Sequence, residues 1–296
     1  MWGQVMPLPN FLIIGAKKAA TTSLHNYLKQ HPDIFMSRIK EPRYFAFDPE
    51  NSEHVSKVPQ TYPITTLDQY SQLFDKVSTE KAIGESSPNY LRSKFAANKI
   101  KHTLHAPKLI VCLRNPVDRA YSNYIMNVRE CVESRLILEA FNESESWVQG
   151  GLYYDDVKRY IDLFGRDSIK IVLFEELVRK PTNVVKDIFR FLNVDENFVP
   201  DMSVKYNLGG MPKNKLLDSI YQVYKRNRKL KLLVRPYLPN KLRSAWVKQK
   251  NRNINRPPSL TGAVAIPMQR FYEDDVLKLQ DLVGINLAVW SKYNDC

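Results

Sequence analysis

The chain has 296 residues, of which 44% are hydrophobic, so it can bury a substantial core and is not an intrinsically disordered protein. Its formal net charge of +13 indicates acidic partners, such as a nucleotide, an anionic glycan, nucleic acid or a lipid surface. Three scattered cysteines argue against a disulfide framework, and no apolar stretch approaches the roughly 20 residues of a membrane span.

Short apolar runs alternate with amphipathic segments along the first two thirds of the chain. Strands are predicted at "FLIIG" (11–15), "KAIGE" (81–85), "KLIVCL" (108–113) and "SIKIVLFEEL" (168–177). Helices are predicted from near Thr22, from Pro116 behind a capping Asn115, and from Pro181. This alternation predicts an α/β fold with a central parallel sheet flanked by helices, in one domain over residues 1–296.

The first strand runs into an unusual loop and helix, "GAKKAATTSLHNYL" (15–28). A small-residue loop before a helix N-terminus directs backbone N–H groups at an anion. The Walker A pattern of P-loop proteins would require glycine and lysine where this chain has Ala20 and Thr21. The hydroxyls of Thr21, Thr22 and Ser23 remain as phosphate donors. An ordinary strand–helix turn with solvated lysines is the alternative interpretation.

A second basic motif, "LIVCLRNPVDRAYSNY", follows the strand at 108–113. Ligands of open α/β sheets gather at the carboxyl ends of the strands, where Arg114 can donate two N–H groups to a phosphate and Ser122 one hydroxyl. A Walker B strand would end in an aspartate that holds Mg²⁺, but this strand ends in arginine. The two motifs together indicate a nucleotide with phosphate groups at both ends and no metal requirement.

On these residues the chain resembles the PAPS-dependent sulfotransferases, most of all their carbohydrate (heparan-type) and bacterial branch; PAPS is 3′-phosphoadenosine 5′-phosphosulfate. "IIGAKKAATTSL" is similar to the family's 5′-phosphosulfate loop, and "LRNPVDRAYSNY" to its 3′-phosphate motif. "KEPRYF" from Lys40 and "ESSPNYL" from Glu85 are similar to two acceptor-side segments. The stretch from Gly151 to Pro181 also fits, so the resemblance covers about residues 10–195.

The resemblance implies metal-independent, in-line transfer of a sulfuryl group from PAPS to an acceptor hydroxyl, leaving 3′-phosphoadenosine 5′-phosphate. It implies Glu41 as general base and Lys18 as stabiliser of the leaving phosphate. The other implied cofactor contacts come from the loop, the 3′-phosphate motif and a loosely matched lid: Lys17, Ala19, Ala20, Thr21, Thr22, Ser23, Arg114, Ser122, Lys213 and Asn214. The implied acceptor contacts are Lys40, Arg43, Ser86, Ser87 and Tyr90.

Two positions depart from the family pattern. The loop usually carries Gly-Gly where this chain has Ala19-Ala20, which is tolerated only if neither residue needs a positive φ. Heparan-type members have lysine at the position of Ser86, so a heparan-like acceptor is questionable.

Alternatives to Glu41 as the base also remain. Glu41 could simply pair with Lys40 or Arg43 at the surface. Because some members of the wider superfamily use histidine, His102 and His105 are the first alternatives, ahead of His25, His31 and His54.

The last third of the chain is strongly basic. From Lys213 to Arg256 there are fourteen Lys and Arg and one acidic residue, an excess of +13 that equals the charge of the whole chain. We interpret 205–256 as a basic lid or helical segment, which could be merely solvated, bind an acidic glycan or dock on an anionic membrane. Nucleic acid is not expected as a partner, because no RRM, KH, helix-turn-helix or zinc pattern occurs.

The expected acceptor is a glycan, a glycolipid or a small alcohol, and the sequence leaves the oligomeric state open. Few cysteines and no apolar span favour a cytoplasmic location, with a membrane-peripheral one as the open alternative. The Golgi lumen applies only if an N-terminal anchor precedes this sequence. Two other functions stay open: a P-loop nucleotide kinase or NTPase, and a non-catalytic nucleotide- or polyanion-binding module.

Overall fold

Five parallel strands form the centre of the protein in a computed structural model that describes residues 7–58, 60–130, 132–204, 210–212, 254–255 and 259–293. The strands are β1 (Phe11–Gly15), β2 (Ile34–Met36), β3 (Ala82–Ser86), β4 (Lys108–Leu113) and β5 (Ile169–Leu173). Their order in the sheet is β2-β3-β1-β4-β5, and all four pairings are parallel. The predicted α/β fold with a central parallel sheet is therefore confirmed.

Helices cover the sheet and connect its strands. In chain order they are α1 (Thr21–Leu28), α2 (Ser52–Ser56), α3 (Leu67–Ser71), α4 (Ala96–Thr103), α5 (Pro116–Arg129), α6 (Ile137–Ala140), α7 (Ser146–Gln149), α8 (Tyr154–Phe164), α9 (Phe174–Arg179), α10 (Pro181–Leu192) and α11 (Gly262–Val283). Short 3₁₀ turns lie at Tyr44–Ala46, Gln72–Phe74, Arg166–Ser168 and Ala288–Trp290.

The core is built on strands that are covered on both faces. All five residues of β1 are buried, and the first four have no exposed surface, as expected for a central parallel strand. β3 lies close beside β1, and a Cβ at Gly84 would come within 2.2 Å of the Phe11 ring. Glycine is required at this position because the ring occupies the space of any side chain.

Two elements differ from the sequence prediction. The strand predicted at 168–177 ends at Leu173, and "FEELVR" forms α9 instead. The reason lies in tertiary contacts: the Glu175 carboxylate accepts hydrogen bonds from the Asn115 backbone N–H (2.9 Å) and from the Trp290 indole (3.1 Å). The prediction also missed β2, whose three residues are too few to show a pattern.

A second cluster of buried side chains fixes α5 at the edge of the sheet. Val117 and Ala120 of α5 pack with Trp147 of α7 and with Met268 and Tyr272 of α11. The Tyr272 hydroxyl donates to the Val148 carbonyl at 2.7 Å and ties α11 to the α7 segment. This layer holds α5 in place, so the residues on its exposed face have a defined position relative to the sheet.

The predicted lid, including Lys213 and Asn214, lies outside the described residues, apart from the short segments 210–212 and 254–255. There β6 (Met211–Pro212) pairs antiparallel with β7 (Ile254–Asn255). Within the part of the chain that the structure describes, no helix is long and apolar enough to cross a membrane.

Candidate active site at the carboxyl edge of the sheet

Three predicted motifs meet because β1, β3 and β4 are neighbouring parallel strands. β1 ends at Gly15, β3 at Ser86 and β4 at Leu113, so the segments that follow them leave the same edge of the sheet. These segments are the phosphate-type loop, the "ESSPNYL" segment and the Arg114 motif. The fold thus brings the predicted nucleotide and acceptor motifs to one edge of the sheet.

The loop at 16–20 reaches α1 through left-handed backbone conformations. Lys18 has φ 71° and Ala20 has φ 60°. From the sequence, Ala19-Ala20 is expected to be tolerated only if neither alanine has a positive φ. Ala19 meets this condition, but Ala20 does not. Alanine therefore occupies a position that favours glycine, at a cost of about 1–2 kcal/mol.

The N-terminus of α1 has the features of an anion site. No side chain caps it, and its first turn holds no acidic residue. Thr21 is buried, whereas Thr22 and Ser23 are half-buried at the opening of the helix. Backbone N–H groups and the helix dipole therefore present positive potential in this loop.

Several cations lie around the same cleft. Partial desolvation and the positive charges of Arg43 and Arg119 lower the pKa of Lys17, and the Glu41 carboxylate acts in the opposite direction. The Lys18 ammonium group contacts the Met126 sulfur of α5 at 2.8 Å, a weak acceptor that carries no charge. The balance of charge favours an anionic ligand.

Arg114 joins the loop to the end of β4. Its guanidinium donates to the Lys18 carbonyl at 3.2 Å and lies over the Phe174 ring, 4.4 Å from the ring centroid. Its Nε is buried and has no hydrogen-bond partner among the described residues. Burial lowers the pKa of Arg114, and the charges of Asp118 and Glu175 oppose this. An unused buried donor on a cation is what a phosphate-binding arginine would offer. Ser122 lies half-buried on α5, two turns beyond Arg114.

Glu41 lies on a loop between β2 and the 3₁₀ turn at 44–46, and it is paired with both basic neighbours. Its two oxygens contact Lys40 Nζ at 2.8 Å and an Arg43 nitrogen at 2.7 Å. Burial alone would raise the pKa of Glu41, but the charge of Lys40 and hydrogen bonds from Arg43 and Lys40 outweigh it and lower the pKa to about 2. Glu41 is therefore ionised at neutral pH. It forms the ion pairs with Lys40 and Arg43 that the sequence offered as the alternative to a catalytic role.

The "ESSPNYL" segment lies beneath this loop rather than in the cleft. Ser86, Ser87 and Tyr90 have no exposed surface. Ser87 donates to Glu85 at 2.9 Å, and the Tyr90 hydroxyl accepts from the Phe45 backbone N–H at 3.4 Å. The side chains of Ser87 and Tyr90 are thus occupied inside the protein, and direct contact of these two with an acceptor is not supported. The Ser86 hydroxyl is also buried, but it has no hydrogen-bond partner among the described residues.

Glu85 was not singled out by the sequence, although it begins a quoted motif. It is fully buried at the end of β3. Burial raises the pKa of Glu85 to about 7, while hydrogen bonds from Tyr90, Ser87 and Tyr70 and the charge of Lys40 limit the rise. The sequence did contain a signal for this residue: Glu85 is the one charged residue in a strand otherwise made of apolar and small residues.

The structure changes the order of the alternative bases. His102 is exposed on α4, and His105 is exposed just before β4, at the amino end of the strand and away from the cleft. The prediction that these two come first is therefore wrong. His25 on α1 is buried with an unpartnered Nδ1, and burial together with the charges of Lys40 and Lys29 lowers its pKa to about 3. His31 and His54 accept from backbone N–H groups of Asp33 and Asp48.

No group of three or more His, Cys, Asp or Glu side chains that could hold a metal ion occurs in the described part of the chain. At the end of β4 the residue is Arg114, where a Walker B strand would carry aspartate.

Comparison with known proteins agrees with this arrangement. Residues 8–233 match a family model described as "Sulfotransferase domain". The chain is 32% identical over 130 residues (43% of this chain, 25% of the relative) to the membrane-associated sulfotransferase kil1 of Dictyostelium discoideum. It is 28% identical over 209 residues (68% of this chain, 50% of the relative) to mouse heparan sulfate glucosamine 3-O-sulfotransferase 3B1.

A solved structure shares the whole fold. The crystal structure of a sulfotransferase from Alicyclobacillus acidocaldarius matches with a TM-score of 0.69 and 30% identity, covering 97% of this chain and 100% of the other. By contrast, the chain spans a quarter to a half of the length of the two relatives named above. On the family match and the shared fold, the chain belongs to the sulfotransferase family.

Proposed function

We propose that the protein transfers a sulfuryl group from PAPS to a hydroxyl of a carbohydrate or glycolipid, with Glu41 as general base. The observation that carries the proposal is the pair of basic anion sites on adjacent strands, the α1 loop and Arg114, with an ionised glutamate at the same cleft. Family membership supports sulfuryl transfer; the donor, the acceptor and the base are the proposed part.

The residues present fit a nucleotide with phosphate groups at both ends. The uncapped N-terminus of α1, with Lys17, Lys18 and the hydroxyls of Thr22 and Ser23, would hold the 5′-phosphosulfate. Arg114 has an unused buried Nε, and with Ser122 it would hold the 3′-phosphate. When bound, PAPS supplies an activated sulfuryl group whose leaving group is a phosphate.

The tasks of the protein are then positioning and charge stabilisation. The loop N–H groups and Lys18 stabilise negative charge on the leaving phosphate. Arg114 holds the Lys18 carbonyl, so the 3′-phosphate site also supports the loop that carries Lys18. Ala20, in its left-handed conformation, allows the backbone to turn directly into α1.

Glu41 would accept the proton of the acceptor hydroxyl. With a pKa of about 2 it is ionised but weakly basic, because Lys40 and Arg43 both bind it. Anionic groups of a substrate would compete for Lys40 and Arg43. The pKa of Glu41 would rise as those contacts are lost, which would couple substrate binding to the strength of the base.

The acceptor class is proposed from the cleft and the relatives. Heparan sulfate is named for one relative, and Lys40 and Arg43 would suit an acidic glycan. Ser86 has a hydroxyl where heparan-type members have lysine, and this residue is fully buried. We therefore favour a carbohydrate with fewer anionic groups than heparan sulfate, or a glycolipid.

The test is incubation with ³⁵S-labelled PAPS and a panel of heparan sulfate, neutral oligosaccharides, a galactosyl lipid and small alcohols, followed by identification of the product. Sulfation of a glycan or glycolipid, retained in excess EDTA, is expected. Transfer that is lost in EDTA and restored by Mg²⁺, together with ATP hydrolysis, would favour a P-loop kinase or NTPase. Binding of 3′-phosphoadenosine 5′-phosphate with no transfer to any acceptor would indicate a binding module.

A further inference from the structure

A buried carboxyl group lies directly beneath the loop that carries Glu41. Glu85 has no exposed surface, and its oxygens accept from the Ser87 hydroxyl at 2.9 Å and the Tyr70 hydroxyl at 3.4 Å. The Tyr90 hydroxyl also interacts with the Glu85 carboxyl and lowers its pKa. Three hydroxyl groups on one buried carboxyl form a polar centre in an otherwise aromatic layer, in which Tyr70 stacks on Tyr44.

Two of these hydroxyls hold the backbone of the loop. The Ser87 oxygen accepts from the Arg43 N–H at 3.2 Å, and the Tyr90 oxygen accepts from the Phe45 N–H at 3.4 Å. In addition, the Glu41 N–H donates to the Ser86 carbonyl at 3.0 Å. The N–H groups of Glu41, Arg43 and Phe45 are thus all bonded to the end of β3 or to the segment that follows it.

The loop needs such support because its conformation is unfavourable. Glu41 and Arg43 both have φ 60°, in the left-handed region that side chains other than glycine rarely adopt. Non-glycine residues stay in this region only where the surroundings determine the backbone strongly. The hydrogen bonds to Ser86, Ser87 and Tyr90 are the visible constraint.

We propose that Glu85 is a positioning residue, which orients the Ser87 and Tyr90 hydroxyls toward itself so that their oxygens hold the Arg43 and Phe45 N–H groups and thereby Glu41. Each hydroxyl has one proton, and donating it to Glu85 leaves lone pairs for the loop. The importance of Glu41 for transfer rests on the function proposed above; the support of the loop does not.

The ionisation state of Glu85 sets how strongly this orientation is imposed. An ionised carboxylate only accepts hydrogen bonds, whereas a protonated one must also donate and competes with the hydroxyls. Burial brings the pKa of Glu85 to about 7, so both forms occur near neutral pH. The groups that face it are Tyr70 and Tyr90, whose own pKa values burial raises, and Lys40.

The test is hydrogen exchange of the Arg43 and Phe45 amides in the full chain, measured by NMR. Glu85→Ala should speed exchange at both amides about tenfold, although Glu85 contacts neither of them. Ser87→Ala should affect Arg43, and Tyr90→Phe should affect Phe45. Tyr70→Phe is the matched control, because it removes a hydroxyl from Glu85 that bonds no backbone group of the loop, and it keeps the ring that packs against Tyr44 and Phe45. If Glu85→Ala speeds exchange of the Arg43 and Phe45 amides no more than Tyr70→Phe does, the proposal is wrong.

Glu85→Gln provides a second test if Glu85→Ala does not fold. In wild type, protection of the two amides, corrected for intrinsic exchange and taken relative to the buried amides of β1, should rise as the pH passes 7, and in Glu85→Gln this rise should be absent. An identical pH dependence in both proteins would overturn the proposal.

The consequence for catalysis can be measured separately. With ³⁵S-labelled PAPS and the best acceptor of the panel, Glu85→Ala should lower kcat and leave the affinity for 3′-phosphoadenosine 5′-phosphate unchanged. If kcat and the affinity for 3′-phosphoadenosine 5′-phosphate fall by the same factor, the substitution disrupts the fold in general, which would contradict a positioning role. A wild-type protein that transfers nothing would refute the proposed function, while the exchange result would still decide the support of the loop.

Discussion

The loop before α1 and the loop that carries Glu41 lie at the same edge of the sheet but are built differently. The α1 loop is one continuous segment, 16–23, whose anion site consists of its own N–H groups and hydroxyls. The Glu41 loop depends on side chains more than 40 positions later, at Ser87 and Tyr90. The donors proposed for the anion are therefore contiguous in sequence, although Arg114 braces the loop through the Lys18 carbonyl. The Glu41 loop takes its hydrogen-bond support from a distant segment.

The two loops also differ in charge. Around the α1 loop, cations face one another, and the pKa of Lys17 is lowered partly by Arg43 and Arg119. At the Glu41 loop the Glu41 carboxylate pairs with both cations, Lys40 and Arg43, and offsets one of their two positive charges. Binding of an anion relieves repulsion at the first loop but competes with an existing pairing at the second. With Glu41 as the proposed base, ligand binding and base strength would be linked through Arg43 and Lys40.

The largest expected effect is on the rate of sulfuryl transfer, and it distinguishes the role of the Glu41 loop from that of the α1 loop. Glu41→Gln keeps the size of the side chain but removes its basicity, so single-turnover transfer at saturating PAPS should fall about 10²–10⁴-fold, with cofactor affinity little changed. Lys18→Ala should reduce both the rate and the affinity, because Lys18 is assigned to the leaving phosphate. If Glu41→Gln transfers within a few-fold of wild type, the base lies elsewhere, and His25 becomes the first alternative.

The second prediction concerns the phosphate side alone. Arg114→Ala should remove most of the preference for 3′-phosphoadenosine 5′-phosphate over adenosine 5′-phosphate, since a charge-assisted hydrogen bond contributes about 1.5–3 kcal/mol. Calorimetry with both nucleotides on wild type and variant measures this preference. Equal affinity of the wild type for the two nucleotides would contradict the assignment of Arg114 to a 3′-phosphate.

The third prediction uses the opposite pKa shifts of the Glu85 and Glu41 carboxyl groups. Burial raises the pKa of Glu85 to about 7, above the unfolded value of about 4.5, so its contribution to stability is complete below pH 4.5 and is lost as the pH rises through 7. The loss above that range is up to about 3 kcal/mol. Glu85→Gln cannot ionise, so its free energy of unfolding should lack this decrease in urea titrations between pH 5 and 8.

Glu41 is the internal comparison for that experiment. Its pKa is lowered to about 2, so its contribution to stability is present above about pH 4.5 and is lost as the pH falls toward 2. Glu41→Gln should therefore change how the free energy of unfolding depends on pH below about pH 4.5, and between pH 5 and 8 this dependence should be as in wild type. If the free energy of unfolding of Glu41→Gln and of Glu85→Gln departs from wild type over the same pH range, the opposite pKa shifts assigned to the two carboxyl groups are wrong.

The smallest effect tests the backbone of the α1 loop. Ala20→Gly should raise the free energy of unfolding by about 0.5–1 kcal/mol, because glycine adopts φ 60° without a Cβ penalty, although it loses more entropy on folding. The matched control is Ala19→Gly, which should destabilise the protein, because Ala19 is buried and is not a positive-φ residue. Denaturant unfolding of the two variants measures the difference, and equal changes would contradict the strain assigned to Ala20.

Local signals predicted the parts of the site that are contiguous in sequence. β1 and β4 have the predicted bounds, and Asn115 caps α5 by accepting from the Val117 and Asp118 N–H groups, with Pro116 as its first residue. The motifs around Lys18 and Arg114 lie at one edge, as the rule for parallel strands requires. Other helix ends depend on distant residues: the Asp275 carboxylate on α11 accepts from the Tyr153 and Tyr154 N–H groups at the start of α8.

By itself the sequence determined the α/β fold with a central parallel sheet, the positions of four of its strands and the two basic motifs, because apolar periodicity, helix caps and loop spacing are local properties. Only the tertiary structure decided that Ser87 and Tyr90 are buried supports, that Glu85 lies beneath the Glu41 loop, and that His102 and His105 lie away from the cleft. Burial, pKa and hydrogen-bond direction depend on which segments pack together, and the periodicity of one segment does not contain that information.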